Sequence, residues 1–155
     1  MDRIENALKP TSRKYLLQSV FGGKTCSQIV CTECGKVRNR IEDYCNISLT
    51  IQDLKSVYES FEKQVEGETI SDYNCDGCGK KVDIKKRTLI AETPNVLILH
   101  LTRMAFNFET FRNEKVNTYF EFPNYLNLKD YSYYDVMRRE HRLKTEVKAD
   151  DEADS

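Results

Sequence analysis

At 155 residues the chain is long enough for one domain with a real core, and its 39% hydrophobic and 32% charged residues describe a surface-rich protein. The longest apolar run, Val96 to Leu99, is far short of the ~20 residues that cross a bilayer, which excludes a membrane-spanning helix. Net charge is −1, and because residues 135–155 hold seven acids against five bases the body is left near +1, without the basic excess of a nucleic-acid partner.

The first residues, Met1 to Pro10, carry Asp2, Arg3, Glu5 and Lys9 and no apolar stretch, so no secretory signal is read there and an intracellular, reducing setting, cytoplasmic or nuclear, is expected. Residues 1–13 form a polar lead-in, frayed or helical. Tyr15, Leu16, Leu17 and Val20 make a short apolar cluster closed by Phe21-Gly22-Gly23. Lys24 to Val30 is strand-like and delivers Cys31, while Val37 to Tyr44 is polar and suits a solvated strand on a narrow projection.

Ile47, Leu49 and Ile51 alternate with Ser48, Thr50 and Gln52, the period of a half-buried strand. Leu54, Val57, Tyr58, Phe61 and Val65 then lie on one face of a helix, with Asp53 as the expected N-cap and Gly67 near its stop. That stripe is a packing face, without a catalytic role. Ile70 to Asn74 leads onward to Cys75, and Val82, Ile84, Thr88 and Ile90 are spaced for a strand interrupted by the basic group Lys85-Lys86-Arg87. Asn95 to Arg103 reads as a strand buried on both faces, with Val96, Ile98 and His100 on one side and Leu97, Leu99 and Leu101 on the other. Val116, Thr118 and Phe120 mark a later strand ended by Pro123, and Leu126 and Leu128 another short one. Residues 135–155 are charged and poor in apolar side chains, as in a disordered tail or a truncated insertion.

Two cysteine pairs organise this order: Cys31-Thr32-Glu33-Cys34 and Cys75-Asp76-Gly77-Cys78, followed by Gly35-Lys36 and Gly79-Lys80. A Cys-x-x-Cys turn lets two thiolates reach one ion, and the glycine after it can take the positive φ of a tight knuckle. Two knuckles make a four-thiolate shell suited to a closed, structural Zn²⁺ site, with Cys31, Cys34, Cys75 and Cys78 as ligands. The 40 residues between the pairs exceed the ~15–20 of a minimal ribbon, so the intervening chain must fold and return. Buried thiols would not repeat the spacing, and disulfides would need an oxidising compartment. A redox pair is the lesser alternative. Cys26 and Cys45 stand outside the pattern as reduced, partly buried thiols.

The sequence resembles the ubiquitin-specific protease family through Phe21-Gly22-Gly23, Cys31-x-x-Cys34, Ile47-Ser48-Leu49, Tyr73-x-Cys75-x-x-Cys78, Pro94-x-Val96-Leu97-Ile98-Leu99-His100-Leu101-x-Arg103, Lys115-Val116-Asn117 and Phe122-Pro123-x-x-Leu126-x-Leu128, a match over roughly residues 16 to 131. The resemblance implies an α+β fold: the mostly antiparallel sheet of the palm and fingers of a papain-like domain, with a four-cysteine zinc ribbon at the fingertips and one main amphipathic helix. It implies an incomplete catalytic domain over 14–134 and ubiquitin or ubiquitinated proteins as partners, with neither nucleic acid nor membrane. Met104 stands where the family usually has phenylalanine.

The family's nucleophile lies in a box of the form Gly-Leu-x-Asn-x-Gly-Asn-Thr-Cys, of which Thr25-Cys26 is only an echo, and its general base in a glycine-rich Gly-His-Tyr box that is not met by residue 155. His141 sits among charges and reads as solvated; His100 reads as a packed core histidine. Thiol hydrolysis needs an imidazole-activated thiolate and oxyanion donors, so no catalytic residue is assigned, and the segment is expected to be inactive alone. The rival readings are a non-catalytic ubiquitin-binding pseudoenzyme and, behind it, a zinc-ribbon nucleic-acid binder using Lys36, Arg38, Arg40, Lys80, Lys81, Lys85, Lys86 and Arg87.

Overall fold

Two hairpins that each turn through a Cys-x-x-Cys-Gly segment build the main sheet. In the computed structural model, which describes residues 2–141, the first hairpin is β1 (Gly23–Cys31) and β2 (Val37–Tyr44) and the second is β4 (Glu68–Cys75) and β5 (Lys80–Glu92). Their order is β2-β1-β5-β4, antiparallel throughout. Between the hairpins run β3 (Ile47–Thr50) and α3 (Val57–Glu66); α1 (Asp2–Leu8) and α2 (Leu16–Phe21) precede them. After β5 come β6 (Leu99–Thr102), parallel to β3, the hairpin of β7 (Met104–Asn107) and β8 (Arg112–Lys115), a 3₁₀ turn at Lys129–Tyr131, and α4, residues 133–141. The architecture is α+β and mainly antiparallel, as the family resemblance implies.

The core forms where α3 crosses β3 and β5. Ile47, Leu49, Ile51, Val57, Phe61, Ile90, Phe120 and Tyr131 are buried together, with the Phe61 and Tyr131 rings stacked at 5.2 Å. Gly67 ends α3 at φ 78°, its N–H donating to Lys63 O at 2.9 Å. The helix starts three residues later than expected. Ser56, not Asp53, is the N-cap, its Oγ accepting from Glu59 N at 3.3 Å while Glu59 accepts from Lys55 N at 2.8 Å. The cause is tertiary: Glu121 donates its N–H to Lys55 O and accepts from Val57 N, bonds that flank Ser56 and hold it extended at φ −146°. Asp53 sits in the preceding turn at φ 62°.

Four other expectations are corrected. The basic group Lys85-Lys86-Arg87 does not interrupt β5, which is continuous because β1 and β4 bond it on both sides. In the segment 95–103 only β6 is a strand; Leu97, Leu99 and Leu101 pack on the core, but Val96 and His100 are exposed because no described element covers their face. Residues 116–122 form no regular strand: Arg103 holds the carbonyl of Val116 at 3.2 Å and residue 121 makes one isolated bridge. Leu126 and Leu128 are half-buried in irregular chain against the core.

The charged segment beginning at residue 135 is helical as far as residue 141; residues 142–155 lie outside the described residues. Ser132 caps α4, its Oγ accepting from Asp135 N at 3.2 Å, and Val136 buries against Cys26 and Leu89. Side chains alternate across a strand, so Gln28 shares a sheet face with its neighbours Asn39 on β2 and Arg87 on β5. Arg87, only 8% exposed, donates Nε to Gln28 Oε1 at 2.7 Å and grips Glu140 of α4 through both terminal nitrogens, at 2.6 and 2.9 Å. Gln28 donates to Asn39, whose amide donates to Tyr133 Oη at 3.0 Å.

Removing one partner of such a network leaves the others without theirs. Arg87→Met is expected to lower stability by about 2–3 kcal/mol and Glu140→Gln by about 1 kcal/mol, read as a lower denaturant midpoint at unchanged slope. Wild-type stability in both variants would show that α4 docks without the network.

Candidate metal centre

Because β1 and β5 run antiparallel, the end of β1 lies beside the start of β5, with Cys31 opposite Ile84, and both hairpin turns emerge at the same end of the sheet. Each turn is a knuckle. Gly35 N–H donates to Cys31 O at 3.1 Å and Gly79 N–H to Cys75 O at 2.8 Å, with the glycines at φ 67° and 66°, a conformation that costs a side chain but not glycine. Thr32 ties the first knuckle to the second hairpin, Oγ1 donating to Asp83 O at 2.7 Å. Gly77 lets the knuckles close, since a Cβ there would lie 3.1 Å from Cys34 Sγ.

The four sulfurs predicted from spacing converge. Cys31, Cys34, Cys75 and Cys78 place all their Sγ atoms within 4.8 Å of one another, with Cys31–Cys78 and Cys34–Cys75 both at 3.7 Å. A tetrahedron with metal–sulfur bonds of about 2.3 Å has edges of about 3.8 Å, so the donor set fits such an ion, whereas a disulfide needs about 2.05 Å. Cys31 and Cys75 are buried, Cys78 is intermediate and Cys34 exposed. Beneath them lies a small apolar floor of Val82 and Ile84 with Ile29 and Tyr73 packed against it.

The electrostatics divide the quartet. The Cys78 amide, followed by that of Gly77, holds the Cys75 thiol down at about 6, and the Cys34 amide lowers Cys31 in the same way. Cys78 is pushed up to about 12, first by its hydrogen bond with the Cys34 thiol. Thiolate is favoured at the first cysteine of each knuckle by its own loop amides, while crowding keeps the proton on Cys78. A cation is what would let all four ionise together.

The remaining candidates separate from this centre. Cys26 lies in the middle of β1, fully buried, and burial raises its thiol, the opposite of an activated nucleophile. Cys45 is half-buried before β3, and His141 is exposed on α4. Of the basic residues weighed as a nucleic-acid surface, Arg87 is buried, Arg38 pairs with Asp76 and Lys80 with Glu33. These two knuckle ion pairs were not foreseen from sequence; the matching placement of acids inside the pairs and bases just after them was the available signal.

A model of the ubiquitin carboxyl-terminal hydrolase family matches residues 1–145. The chain is 32% identical to human ubiquitin carboxyl-terminal hydrolase 34 over 132 residues, 83% of this chain and 4% of that protein. It is also 32% identical to mouse ubiquitin carboxyl-terminal hydrolase 9X over 143 residues, 90% of this chain and 6% of that protein. Among solved structures it resembles a SAGA DUB module bound to monoubiquitin, with TM-score 0.70 and 28% identity over 84% of this chain and 30% of the other. A second SAGA DUB module, bound to ubiquitin aldehyde, gives TM-score 0.66 and 31% identity over 76% of this chain and 26% of the other. The fold and cysteine cluster define part of a deubiquitinase-type protease domain. The chain belongs to the ubiquitin carboxyl-terminal hydrolase family as a ubiquitin-specific protease segment, and it spans 4 to 6% of the two curated relatives named.

Burial makes a distinction among the thiols that labelling can read. With a maleimide reagent on the metal-free folded protein, Cys34 is expected to react fast and Cys26 to stay unmodified until denaturant is added. Mass spectrometry finding Cys26 labelled in the native state would contradict its burial.

Proposed function

We propose that Cys31, Cys34, Cys75 and Cys78 hold a structural Zn²⁺ and that the chain, over residues 14–134, is the fingers and part of the palm of a ubiquitin-specific protease catalytic domain. The observation that carries this is the convergence of four sulfurs, from two turns far apart in sequence, at tetrahedral separations in a chain of this family. The ion supplies cross-linking of two hairpin tips whose own apolar floor is small; the tetrathiolate shell leaves no position for water, so it shapes the fingers and does no chemistry. The two solved relatives bind ubiquitin or its aldehyde, which supports ubiquitin as the partner gripped by this sheet.

In the complete protein this segment would serve hydrolysis of ubiquitin isopeptide bonds, with nucleophile and base supplied from outside it. Burial and a raised thiol argue against Cys26 as that nucleophile. Exposed Val96, before β6, and His100, within it, support further parts of the domain packing there. Six free thiols suit a reducing compartment, cytoplasmic or nuclear, and no helix among the described residues is long and apolar enough to cross a membrane.

Metal analysis is expected to find about one zinc ion per chain, lost in Cys75→Ser. Chelation should speed hydrogen exchange around residues 29–36 and 73–84 while the amides of α3 stay protected. A zinc-free native protein would end the assignment.

Alone, the chain is expected to bind ubiquitin at micromolar strength or weaker and to leave a fluorogenic ubiquitin substrate intact. Nanomolar binding in calorimetry would instead favour a self-sufficient ubiquitin-binding module. Turnover abolished by Cys26→Ala would overturn the division of labour.

A further inference from the structure

The two knuckles exchange charged side chains as well as sulfurs. Lys80, just past the second knuckle, reaches Glu33 inside the first at 2.7 Å. Arg38, on the strand that leaves the first knuckle, pairs with Asp76 inside the second and donates to Tyr73 Oη at 3.3 Å. Lys36 holds in the first repeat the place Lys80 holds in the second, and its Cδ lies 3.2 Å from where a Cβ on Gly77 would be. The acid inside each knuckle is therefore matched by a base from the other hairpin.

These acids are otherwise badly placed. Four thiolates around one dication leave a net negative cluster, and Glu33 and Asp76 each adjoin two of its ligands or lie within two residues of them. A carboxylate there repels the cluster unless a cation stands beside it. The cations that do so come from across the centre, so the neutralising contact is also a tie between hairpin tips. These residues are exposed, where one pair contributes little to the stability of a whole domain. At this end of the sheet, however, the ties act on one local opening, the separation of the knuckles.

We propose that Glu33–Lys80 and Asp76–Arg38 are positioning pairs that hold the two knuckles face to face and set how readily the metal leaves. This rests on the zinc reading above, and a charge-swap cycle distinguishes the two. The zinc-loaded full chain is mixed with excess chromophoric chelator, and the rate of zinc loss is followed for wild type, E33K, K80E and E33K/K80E. Pairing predicts that each single variant loses zinc about fivefold faster, because the tips now repel, and that the double variant returns to within roughly twofold of wild type.

The E33K variant separates pairing from a plain field effect. An added cation beside a negative cluster would by itself hold zinc more tightly, so unchanged or slower loss in E33K overturns the proposal. A double variant no slower than the singles overturns it equally. The cobalt(II) thiolate spectrum of each variant establishes that the rates come from an assembled centre, and D76R, R38D and D76R/R38D are expected to repeat the pattern. If wild type takes up no metal, the zinc reading fails and the pairing with it; if wild type holds zinc and the cycle is flat, the pairing alone fails.

Discussion

The pairing of β1 with β5 is the constraint on which the rest of this structure depends. Each hairpin alone would present two cysteines on a mobile turn. Running antiparallel from Lys24 opposite Glu92 to Cys31 opposite Ile84, the two inner strands bring both turns to one end of one sheet. The residues between the hairpins spend their length on β3 and α3, which build the core at the other end. The long interval between the cysteine pairs is thus the path needed to lay down a domain and come back.

One sheet consequently has two ends stabilised by different physics. At the base, Phe61, Leu49 and Ile51 are almost wholly removed from water, and burial of each such side chain is worth about 1.5–3 kcal/mol. At the tip, β2 is exposed along nearly its whole length and only Val82, Ile84 and two cysteines are buried. A projection that narrow has too little apolar surface to fix its own geometry. Metal–thiolate bonds are the kind of constraint that needs no depth of core, and four cysteines suited to making them stand at this end.

What could be read from the residues follows the range over which each signal acts. The knuckles were legible because the pattern is local and repeated, and β3 and the stop of α3 because alternation and a glycine report on the chain's own geometry. The start of α3 is not legible locally, because Glu121, far away in sequence, bonds Lys55 and Val57 and holds Ser56 between them extended. Composition groups Arg87 with Lys85 and Lys86 as a break in the strand, although strand alternation gives it a different face from Lys86, the one that Gln28 shares. Composition reads the chain from residue 135 as disordered, yet Ser132 with Asp135 three residues on is the N-terminal signature of α4. Its one buried valine and one paired glutamate are few enough to disappear in an average over charged neighbours.

The same residue types act differently at the two places because one partner is buried at the first and both are exposed at the second. Arg87, itself buried, meets Glu140 beside a fully buried glutamine, so losing Glu140 leaves a guanidinium short of a partner where water hardly reaches, and the contact discriminates between a docked and an undocked α4. Arg38 with Asp76 and Lys80 with Glu33 meet where water competes for every hydrogen bond. Pairs of that kind can be lost without unfolding the sheet beneath them. A base locked by packing and buried polar contacts thus carries a tip whose charged contacts are open to water, around four converging thiols.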